Sequence, residues 1–480
     1  MKCGASIFAG GLLLFTACAV NPATGKRELM LVSEGQELQM GAAYDSQVVA
    51  SIGEYADPAL QTYVADLGKK LAATSERPSL PWTFRVVDDP SVNAFAIPGG
   101  HVYVTRGILA HMTNEAELAT VMGHEIGHVT ARHTAQQMTQ QQLAGLGLAI
   151  GTIASSRIAQ YAGQASQALQ VMFLKFSRDD ESQADQLGIR YSSRANYDSR
   201  EMIHVMQMLD KIETESGGKL PEWLATHPAP ANRIEHITAI LSGTQTDFSH
   251  ATVNRAGYER RIDGIIFGMN PREGFFKGTE FFHPDLKFRI AFPSGWQVAN
   301  TKQAVGAHSP KQDAIIELQL AAGASAEEAA RAFLSQQGVQ AGTLTSGKVN
   351  GLTAASAPFA APTEQDTIRG NAVFVEYGTN VYRLLAYGSE ATWANNQEVG
   401  QRALSSFGPL TDPALLTVQP QRISLFTLDR RTTITELARQ RRSPVPVATL
   451  ALINQVDAND TLAPGQVMKW VVGQPLPGAP

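Results

Sequence analysis

The sequence is poor in cysteine: Cys3 and Cys18, its only two, lie at the beginning of its 480 residues. The rest of the chain has neither a disulfide nor a thiolate metal ligand. Positive charge is not in excess, because 39 lysines and arginines face 44 aspartates and glutamates, and this balance argues against a nucleic-acid partner. The apolar run at 143–154 spans 12 residues, short of the ~20 that cross a membrane. What remains is a chain with room for roughly two to four domains.

The N-terminus has the features of a secretory signal peptide over residues 1–17. Lys2 supplies a positive charge, and a short apolar core at 7–17 precedes Cys18. The residues before this cysteine resemble a bacterial lipobox, with Phe15 in place of the usual leucine. We therefore predict cleavage before Cys18 and a lipid anchor on it that ties the protein to a membrane.

The pattern His124-Glu125-x-x-His128 is the most informative motif of the chain. On an α-helix, residues four positions apart project from the same face, so both imidazoles can bind one ion. Neutral histidine suits zinc, and a carboxylate next to the first histidine can act as the general base on a water molecule. The alternative is a pair of solvated or core histidines on an amphipathic helix.

The helix around this motif is predicted to begin at Asn114, with Glu117 in its first turn. His133 follows His124 by nine residues, which on a continuous helix places it on the opposite face, so we expect a structural role for it. Residues 131 and 134 are not the glycine and histidine of the metzincin pattern. The third metal ligand must come from another segment.

Two later segments can complete the site. Ser177 is a predicted helix cap, after which Glu181 and Asp185 share one face; one carboxylate can bind the metal while the other orients a histidine. The alternative is a solvated acidic helix start. Downstream, His227 precedes a proline in an extended segment, and with Arg233 it could bind the oxyanion formed during peptide hydrolysis. From the residues alone, a surface histidine is the favoured interpretation of His227.

The residues just before the motif helix indicate a strand, turn and strand. Pro98 cannot donate to a sheet, so an edge strand is expected at its N-terminal side. An extended substrate could pair with such an edge, although an ordinary supporting hairpin is an equal alternative. The predicted substrate strand consists of Asn93, Ala94, Phe95 and Ala96. After the helix, residues 139–172 are expected to form a buried helix or flap near the site, or alternatively a loop that dips into a membrane.

Together these motifs resemble the gluzincin metallopeptidase family of the CaaX prenyl endopeptidase, HtpX and BepA type, over residues from about 21 to 265. The closest similarity is to its soluble bacterial lipoprotein members. The resemblance implies zinc ligands at His124, His128 and Glu181, a general base at Glu125 and an orienting carboxylate at Asp185. It also implies that His227, with Arg233 beside it, either stabilises the oxyanion or occupies the open zinc position in a resting state. Gln183 departs from the family's frequent glutamate at a position that is not a ligand.

The rest of the chain shows no catalytic motif. Residues 280–412 are predicted to form an α/β domain whose opening resembles PsbP-like domains. Residues 415–475 show a strand, helix, helix and strand order that resembles a degenerate LysM module, a type of module that binds peptidoglycan in other proteins, so a peptidoglycan contact is one possible role. The loop at 419–422 lacks the usual glycine and aspartate of that module.

The sequence therefore predicts a multidomain protein. A mainly α-helical α+β zincin-type metallopeptidase domain with a small edge-strand sheet (18–265) precedes the α/β domain and the LysM-like βααβ domain. The predicted function is a zinc endopeptidase with one Zn²⁺ per chain that hydrolyses misfolded or misassembled envelope polypeptides on the periplasmic side of a bacterial envelope, as an outer-membrane lipoprotein. The rival prediction is a catalytically silent or latent envelope scaffold, chaperone or peptidoglycan-binding protein.

Overall fold

The computed structural model describes residues 18–143, 175–215, 221–227, 233–362 and 366–476. The predicted signal peptide, and residues 144–172 of the predicted flap, lie outside these ranges. Within them, none of the helices combines the length and the apolar character that crossing a membrane requires. The described residues form two compact units: those up to Gly268 together with Gln421–Gly473, and Met269–Pro420 together with those from Gln474 onward.

The first unit begins with a small hairpin and continues with helices around a three-stranded sheet. Its elements up to residue 268 are β1 (Cys18–Val20), β2 (Arg27–Leu29), α1 (Glu34–Ile52), α2 (Pro58–Ala72), β3 (Thr83–Val87), β4 (Ala94–Ile97), β5 (His101–Thr105), α3 (Arg106–His111), α4 (Glu115–Thr130), α5 (His133–Leu143), α6 (Arg178–Arg194), α7 (Glu201–Glu215), α8 (Glu222–Thr226), α9 (Arg233–Gly243) and α10 (Arg255–Ile262). The sheet order is β3-β5-β4, with β4 antiparallel to β5. Among the described strands β4 is therefore at the edge, as predicted.

Helix α4 carries the two predicted metal-binding histidines. Its start is set by Asn114, whose side chain accepts a hydrogen bond from the backbone N–H of Glu117. Gly123 in its middle faces Gly188 of α6, and a Cβ on Gly188 would lie only 2.8 Å from the backbone nitrogen of His124. Glycine at this crossing lets the two helices approach closely, which brings the acidic start of α6 next to the histidines of α4.

The second unit is rich in antiparallel sheet. Its elements are a 3₁₀ turn (Pro271–Glu273), β6 (Phe275–Lys277), β7 (Glu280–His283), β8 (Phe288–Ala291), β9 (Gln297–Asn300), β10 (Ala304–His308), β11 (Ala314–Ala321), α11 (Ala326–Leu334), β12 (Gln340–Ala341), β13 (Thr345–Val349), β14 (Leu352–Pro362), β15 (Thr367–Tyr377), β16 (Asn380–Ser389), α12 (Glu390–Ser405), β17 (Gly408–Pro409) and α13 (Pro413–Leu416). One sheet has the order β12-β14-β15-β16-β11-β10-β9, with β13 beside β14, and the other is β17-β8-β7-β6.

Every described strand pair in this unit is antiparallel. The expectation of an α/β domain at 280–412 is therefore corrected to α+β. The physical reason is the connections: tight turns such as the one at Gly378, whose φ is 62°, join neighbouring strands, whereas parallel strands need long crossovers.

The C-terminal segment contains β18 (Arg422–Thr427), α14 (Ile434–Gln440), α15 (Val447–Ile453) and β19 (Val467–Val472), in the predicted order. It does not stand apart but belongs to the first unit. The ammonium of Lys469, fully buried, donates to the carbonyls of Ala110 (3.0 Å) and Met112 (2.7 Å), and Gln455 donates to Glu117 (2.9 Å). A buried lysine between two segments this far apart in sequence joins them into one packed body. The LysM resemblance itself stays a prediction.

Candidate metal centre

Four side chains from three segments converge beneath helix α4. The ligand atoms of His124, His128, Glu181 and His227 all lie within 4.8 Å of one another, and each residue is at most 2% exposed. We call this group the metal cluster. The Nε2 atoms of the first two histidines are 3.0 Å apart, and the oxygens of Glu181 lie 3.6 Å from Nε2 of His124 and 3.4 Å from Nε2 of His128.

These residues fit a zinc ion. Ligands arranged tetrahedrally about 2 Å from zinc lie roughly 3.3 Å from one another, and the separations above bracket that value. Both carboxylate oxygens of Glu181 and Nε2 of His227 are buried without a hydrogen-bond partner among the described residues. Buried polar atoms left in this state are costly, and a bound cation would satisfy them. The alternative of a solvated acidic helix start does not hold for Glu181, which is 0% exposed.

His124 is oriented from behind by a carboxylate. Its Nδ1 lies 2.9 Å from an oxygen of Asp185, so the ring donates there and leaves the lone pair of Nε2 directed into the metal cluster. Burial of Asp185 opposes ionisation, but the ion pair with Arg233 and the bond from His124 outweigh it and lower the pKa of this carboxyl to about 2. Asp185 is thus an anion in the position that the sequence analysis gave it.

Arg233 lies behind the cluster. Its Nε and Nη2 donate to the two oxygens of Asp185 at 3.0 and 2.7 Å, and its Nη1 is 3.3 Å from Glu181. All three guanidinium nitrogens thus approach carboxylates, and the group stacks over the ring of Trp223 at 4.9 Å. The contacts of Arg233 are therefore with the carboxylates that surround the histidines, and its expected contact with an oxyanion stays a prediction.

Glu125 is held by a residue that the sequence analysis missed. Nε1 of Trp223 donates to Oε1 of Glu125 at 3.0 Å, and Trp223 also donates its backbone N–H to the carbonyl of Val92, just before the edge strand β4. Burial raises the pKa of Glu125 to about 7, against the opposing effects of His124 and the Trp223 hydrogen bond. No local pattern pairs residues 98 positions apart, so Trp223 carried no signal in the sequence.

His227 is buried, not on the surface. It follows helix α8, and its Nδ1 lies 2.9 Å from the hydroxyl of Thr226 and 3.1 Å from the carbonyl of Trp223, on whose ring it stacks. Its other nitrogen, Nε2, points into the metal cluster and is 3.7 Å from Glu125. Burial lowers the pKa of His227 well below its usual value, which favours the neutral ring.

His133 does not lie on the opposite face from His124, and that expectation is wrong. Helix α4 ends at Thr130, and Arg132 turns the chain with a left-handed φ of 60°, so His133 begins a new helix. The Nδ1 atoms of His133 and His128 are 2.9 Å apart, and Nε2 of His133 is 2.8 Å from the amide oxygen of Gln183.

This arrangement sets the tautomer of His128. The amide oxygen of Gln183 can only accept, so it takes the proton on Nε2 of His133. Nδ1 of His133 then accepts from Nδ1–H of His128, and Nε2 of His128 is left with a lone pair that faces Glu181. Phe176 stacks on the His128 ring with centroids 4.0 Å apart. His133 therefore orients the ring of His128, as Asp185 orients the ring of His124.

Comparisons with known proteins agree with this site. A family model described as Peptidase family M48 matches residues 58–241, which include all four members of the metal cluster. The Beta-barrel assembly-enhancing protease of Yersinia pestis is 34% identical over 211 residues, which cover 42% of this chain and 43% of that protein. Mitochondrial metalloendopeptidase OMA1 of Schizosaccharomyces pombe is 31% identical over 247 residues, which cover 50% of this chain and 72% of that protein. The chain thus spans less than half the length of the first of these relatives.

A similarity to a solved structure was also found. The solution structure of cyanobacterial PsbP from Synechocystis sp. PCC 6803 is 13% identical and covers 27% of this chain and 91% of that chain, with a TM-score of 0.23. A score this low carries no argument about the second unit.

Proposed function

Because the chain belongs to peptidase family M48, as its motifs predict, we propose that it is a zinc-dependent endopeptidase. The proposed ligands of one zinc ion per chain are His124, His128 and Glu181, and the proposed general base is Glu125. The observation that carries the proposal is the carboxylate of Glu181. It is 0% exposed, neither oxygen has a hydrogen-bond partner among the described residues, and it faces two imidazole nitrogens.

The proposed mechanism assigns each residue one task. Zinc in such a site supplies Lewis-acid chemistry, which polarises a peptide carbonyl and makes a water molecule more acidic. Glu125 accepts the proton of the attacking water while Trp223 holds its Oε1. Glu125 can then return this proton to the leaving amine. Asp185, held by Arg233, and His133 keep the two histidine ligands oriented throughout.

His227 has two candidate roles that give opposite experimental results. Its unpaired Nε2 supports either a hydrogen bond to the developing oxyanion or a resting contact with the metal that blocks substrate. Substitution His227→Ala lowers kcat if the ring stabilises the oxyanion, and it raises activity if the ring keeps the enzyme latent. Casein cleavage at constant zinc occupancy distinguishes the two.

For the substrate we propose misfolded or misassembled envelope proteins, since one relative is named for β-barrel assembly. The proposed location is the periplasmic side of a bacterial envelope, with an outer-membrane anchor at Cys18. The proposed substrate strand, Asn93 to Ala96, consists of the residue before strand β4 and the first three residues of β4, which lies at the edge of its sheet and could pair with an extended substrate backbone. A glycan contact of the LysM-like segment is tested by sedimentation of the full chain with purified peptidoglycan, where failure to pellet leaves this segment a structural role.

The decisive experiment compares wild type with Glu125→Gln on casein and on a misfolded outer-membrane protein. Because Glu125 is the proton acceptor and not a ligand, the substitution should slow cleavage roughly 10²–10⁴-fold while bound zinc stays at one per chain. Equal cleavage by the two proteins removes Glu125 from the mechanism. A metal-free, inert wild type supports the rival scaffold function.

A further inference from the structure

The hairpin of β1 and β2 has two chemically different faces. Cross-strand partners share a face, as do alternate residues of a strand. The register pairs Cys18 with Leu29 and Val20 with Arg27. The opposite, inward face packs against helix α5, in a cluster made of Ala19, Met30, Val32, Ala135 and Met138 together with Met40. The hairpin is therefore amphipathic, and its outward face is free of this packing.

The outward face is apolar and is bordered by positive charge. Val20 is 53% exposed, Leu31 is 42% exposed and Leu29 is 37% exposed, and these are three of the five exposed large hydrophobic residues in the described part of the chain. Lys26 and Arg27 beside them are exposed as well. Single exposed leucines are ordinary, but adjacent apolar side chains flanked by cations are the composition of surfaces that lie on anionic lipid.

On its inward side, this hairpin is hydrogen-bonded to the segment that follows helix α4. The side chain of Asn21 donates to the carbonyl of Ala131 at 3.1 Å, three residues after His128. Arg132 donates to the carbonyl of Val32 at 2.8 Å. The hairpin is thus bonded directly to the backbone that connects the two histidines His128 and His133.

We propose that the outward face of the hairpin seats on the surface of a lipid bilayer; this seating face consists of Val20, Arg27, Leu29 and Leu31, and the exposed Lys26 adjoins it at the turn. The proposal rests on the lipid anchor proposed above, because the backbone of Cys18 pairs with that of Leu29, so an anchored chain would begin in the same hairpin as the apolar patch. Lys26 and Arg27 match the anionic phosphates of the headgroups. The consequence is that the end of helix α4 is held close to the membrane, so the site acts on polypeptide segments near the bilayer surface.

The experiment uses the full-length acylated protein and one fluorescent label. Cys3 lies in the predicted signal peptide and acylation blocks the thiol of Cys18, so in the acylated protein the dye bimane modifies the thiol that Leu31→Cys introduces. The protein is placed in vesicles of phosphatidylethanolamine with a minority of phosphatidylglycerol and brominated acyl chains. We expect the brominated chains to reduce bimane fluorescence at position 31 about twofold. The fluorescence of a label at Asp429→Cys, a matched exposed position in the same unit, should not change.

A second measurement removes the anchor. The full chain with Cys18→Ser carries no acyl group, so its binding to the same vesicles reports the seating face alone. Lys26→Gln and Arg27→Gln should each weaken this binding roughly 5-fold, whereas Lys348→Gln, at an exposed lysine of the other unit, should not change it. On neutral phosphatidylcholine vesicles, the Lys26→Gln and Arg27→Gln variants should bind as well as the parent Cys18→Ser chain.

The outcomes separate the two proposals. If mass spectrometry finds acylated Cys18 but position 31 is not quenched, the anchor stands and the seating face is overturned. If Cys18 is not acylated but the Cys18→Ser chain binds vesicles with the expected charge dependence, the anchor fails and the seating face stands. A doubled mass in solution that Leu31→Ser abolishes would mean that the face joins two copies, which also overturns the proposal.

Discussion

Two buried polar clusters lie along helix α4, and they differ in how their carboxylates are satisfied. Near its start is the junction cluster, which consists of Thr113, Asn114, Glu117, Gln455 and Lys469. Both oxygens of Glu117 accept hydrogen bonds there, from Thr113, Asn114 and Gln455 at 2.6 to 3.1 Å. Further along is the metal cluster, where Glu181 is equally buried but lacks hydrogen-bond partners among the described residues.

The comparison teaches how to distinguish a structural carboxylate from a ligand. Glu117, Glu201 and His204 also lie close enough together to suggest a metal site. At Glu117, however, the donors already present leave no lone pair in need of a cation, and Lys469 supplies positive charge nearby. At Glu181 the guanidinium of Arg233 is 3.3 Å away, but neither carboxylate oxygen accepts a hydrogen bond among the described residues. Burial and proximity are common to both clusters, and only the open hydrogen-bonding capacity separates them.

The largest expected effect is on zinc affinity, when the charge of the buried carboxylate is removed from the metal cluster. Removing the buried carboxylate charge of the junction cluster is the matched comparison. Glu181→Gln replaces an anionic ligand by a poor one, so zinc affinity should fall at least about 100-fold and proteolysis should be lost. Glu117→Gln should retain one zinc per chain and lose roughly 1–3 kcal/mol of stability, because an amide cannot accept from all the donors around it. Elemental analysis and urea unfolding of the two variants are the measurements. Loss of zinc from Glu117→Gln would contradict the distinction.

A second prediction tests the junction cluster alone. Lys469→Met removes the two hydrogen bonds that link the C-terminal segment to the carbonyls of Ala110 and Met112, so the free energy of unfolding should fall by about 1–3 kcal/mol. Zinc content should not change. Lys348→Met, at an exposed lysine, is the matched control and should lie within about 0.5 kcal/mol of wild type. An unchanged urea midpoint for Lys469→Met would show that the two segments are stable independently.

A third, smaller effect concerns the orientation of the ligands. His133→Ala removes the acceptor for Nδ1–H of His128, so zinc affinity should fall roughly 10- to 100-fold, as it does when other partners of metal-bound histidines are lost. Gln183→Glu keeps an acceptor for His133 and should restore most of the affinity that Gln183→Ala loses. His204→Ala, at an exposed histidine, is the control. Competition with a chelator gives the affinities, and equal values for wild type and His133→Ala would rule out an orienting role.

The last prediction is a pH dependence of stability at His111, whose backbone carbonyl accepts a hydrogen bond from Gln455 of the junction cluster. Burial lowers the pKa of His111 from 6.5 to about 4, against its backbone hydrogen bond to Gly107. Between these values the unfolded chain binds a proton that the folded chain does not, so the free energy of unfolding falls as pH drops from 6.5 towards 4. His111→Asn keeps a donor for Gly107 without titrating, and its acid-unfolding midpoint should move to lower pH. A midpoint at or above the wild-type value would contradict this assignment.

Local patterns in the sequence predicted His124 and His128 of the metal cluster. Its other two members, Glu181 and His227, come from distant segments. The four-residue spacing of His124 and His128 and the cap at Asn114 depend only on helix geometry, so they were predictable. The family motif then indicated Glu181 and His227. The contact of His133 was missed because residues 129–133 contain neither glycine nor proline to signal the end of the helix.

For the fold, too, features set by local residues were predictable and features set by distant contacts were not. Hairpins such as the one at Gly378 and helix caps such as Ser177 and Ser325 were predictable from turn and capping residues. The packing of the C-terminal segment into the first unit was not, because it depends on Lys469 meeting carbonyls more than 350 positions away, at distances of 2.7 and 3.0 Å. Neither hydrophobic period nor composition carries that information.

X-ray absorption at the zinc K-edge on the full-length protein loaded with one equivalent of zinc tests the metal site most directly. Two histidines and one carboxylate predict a first shell of nitrogen and oxygen alone at about 2.0–2.1 Å, with the outer scattering of imidazole rings. The outer scattering of the imidazole rings should weaken or disappear in Glu181→Gln, because zinc that leaves the site is coordinated by water. A sulfur shell at about 2.3 Å, or a wild-type protein that binds no zinc, would contradict the metal site on which the proposed endopeptidase depends.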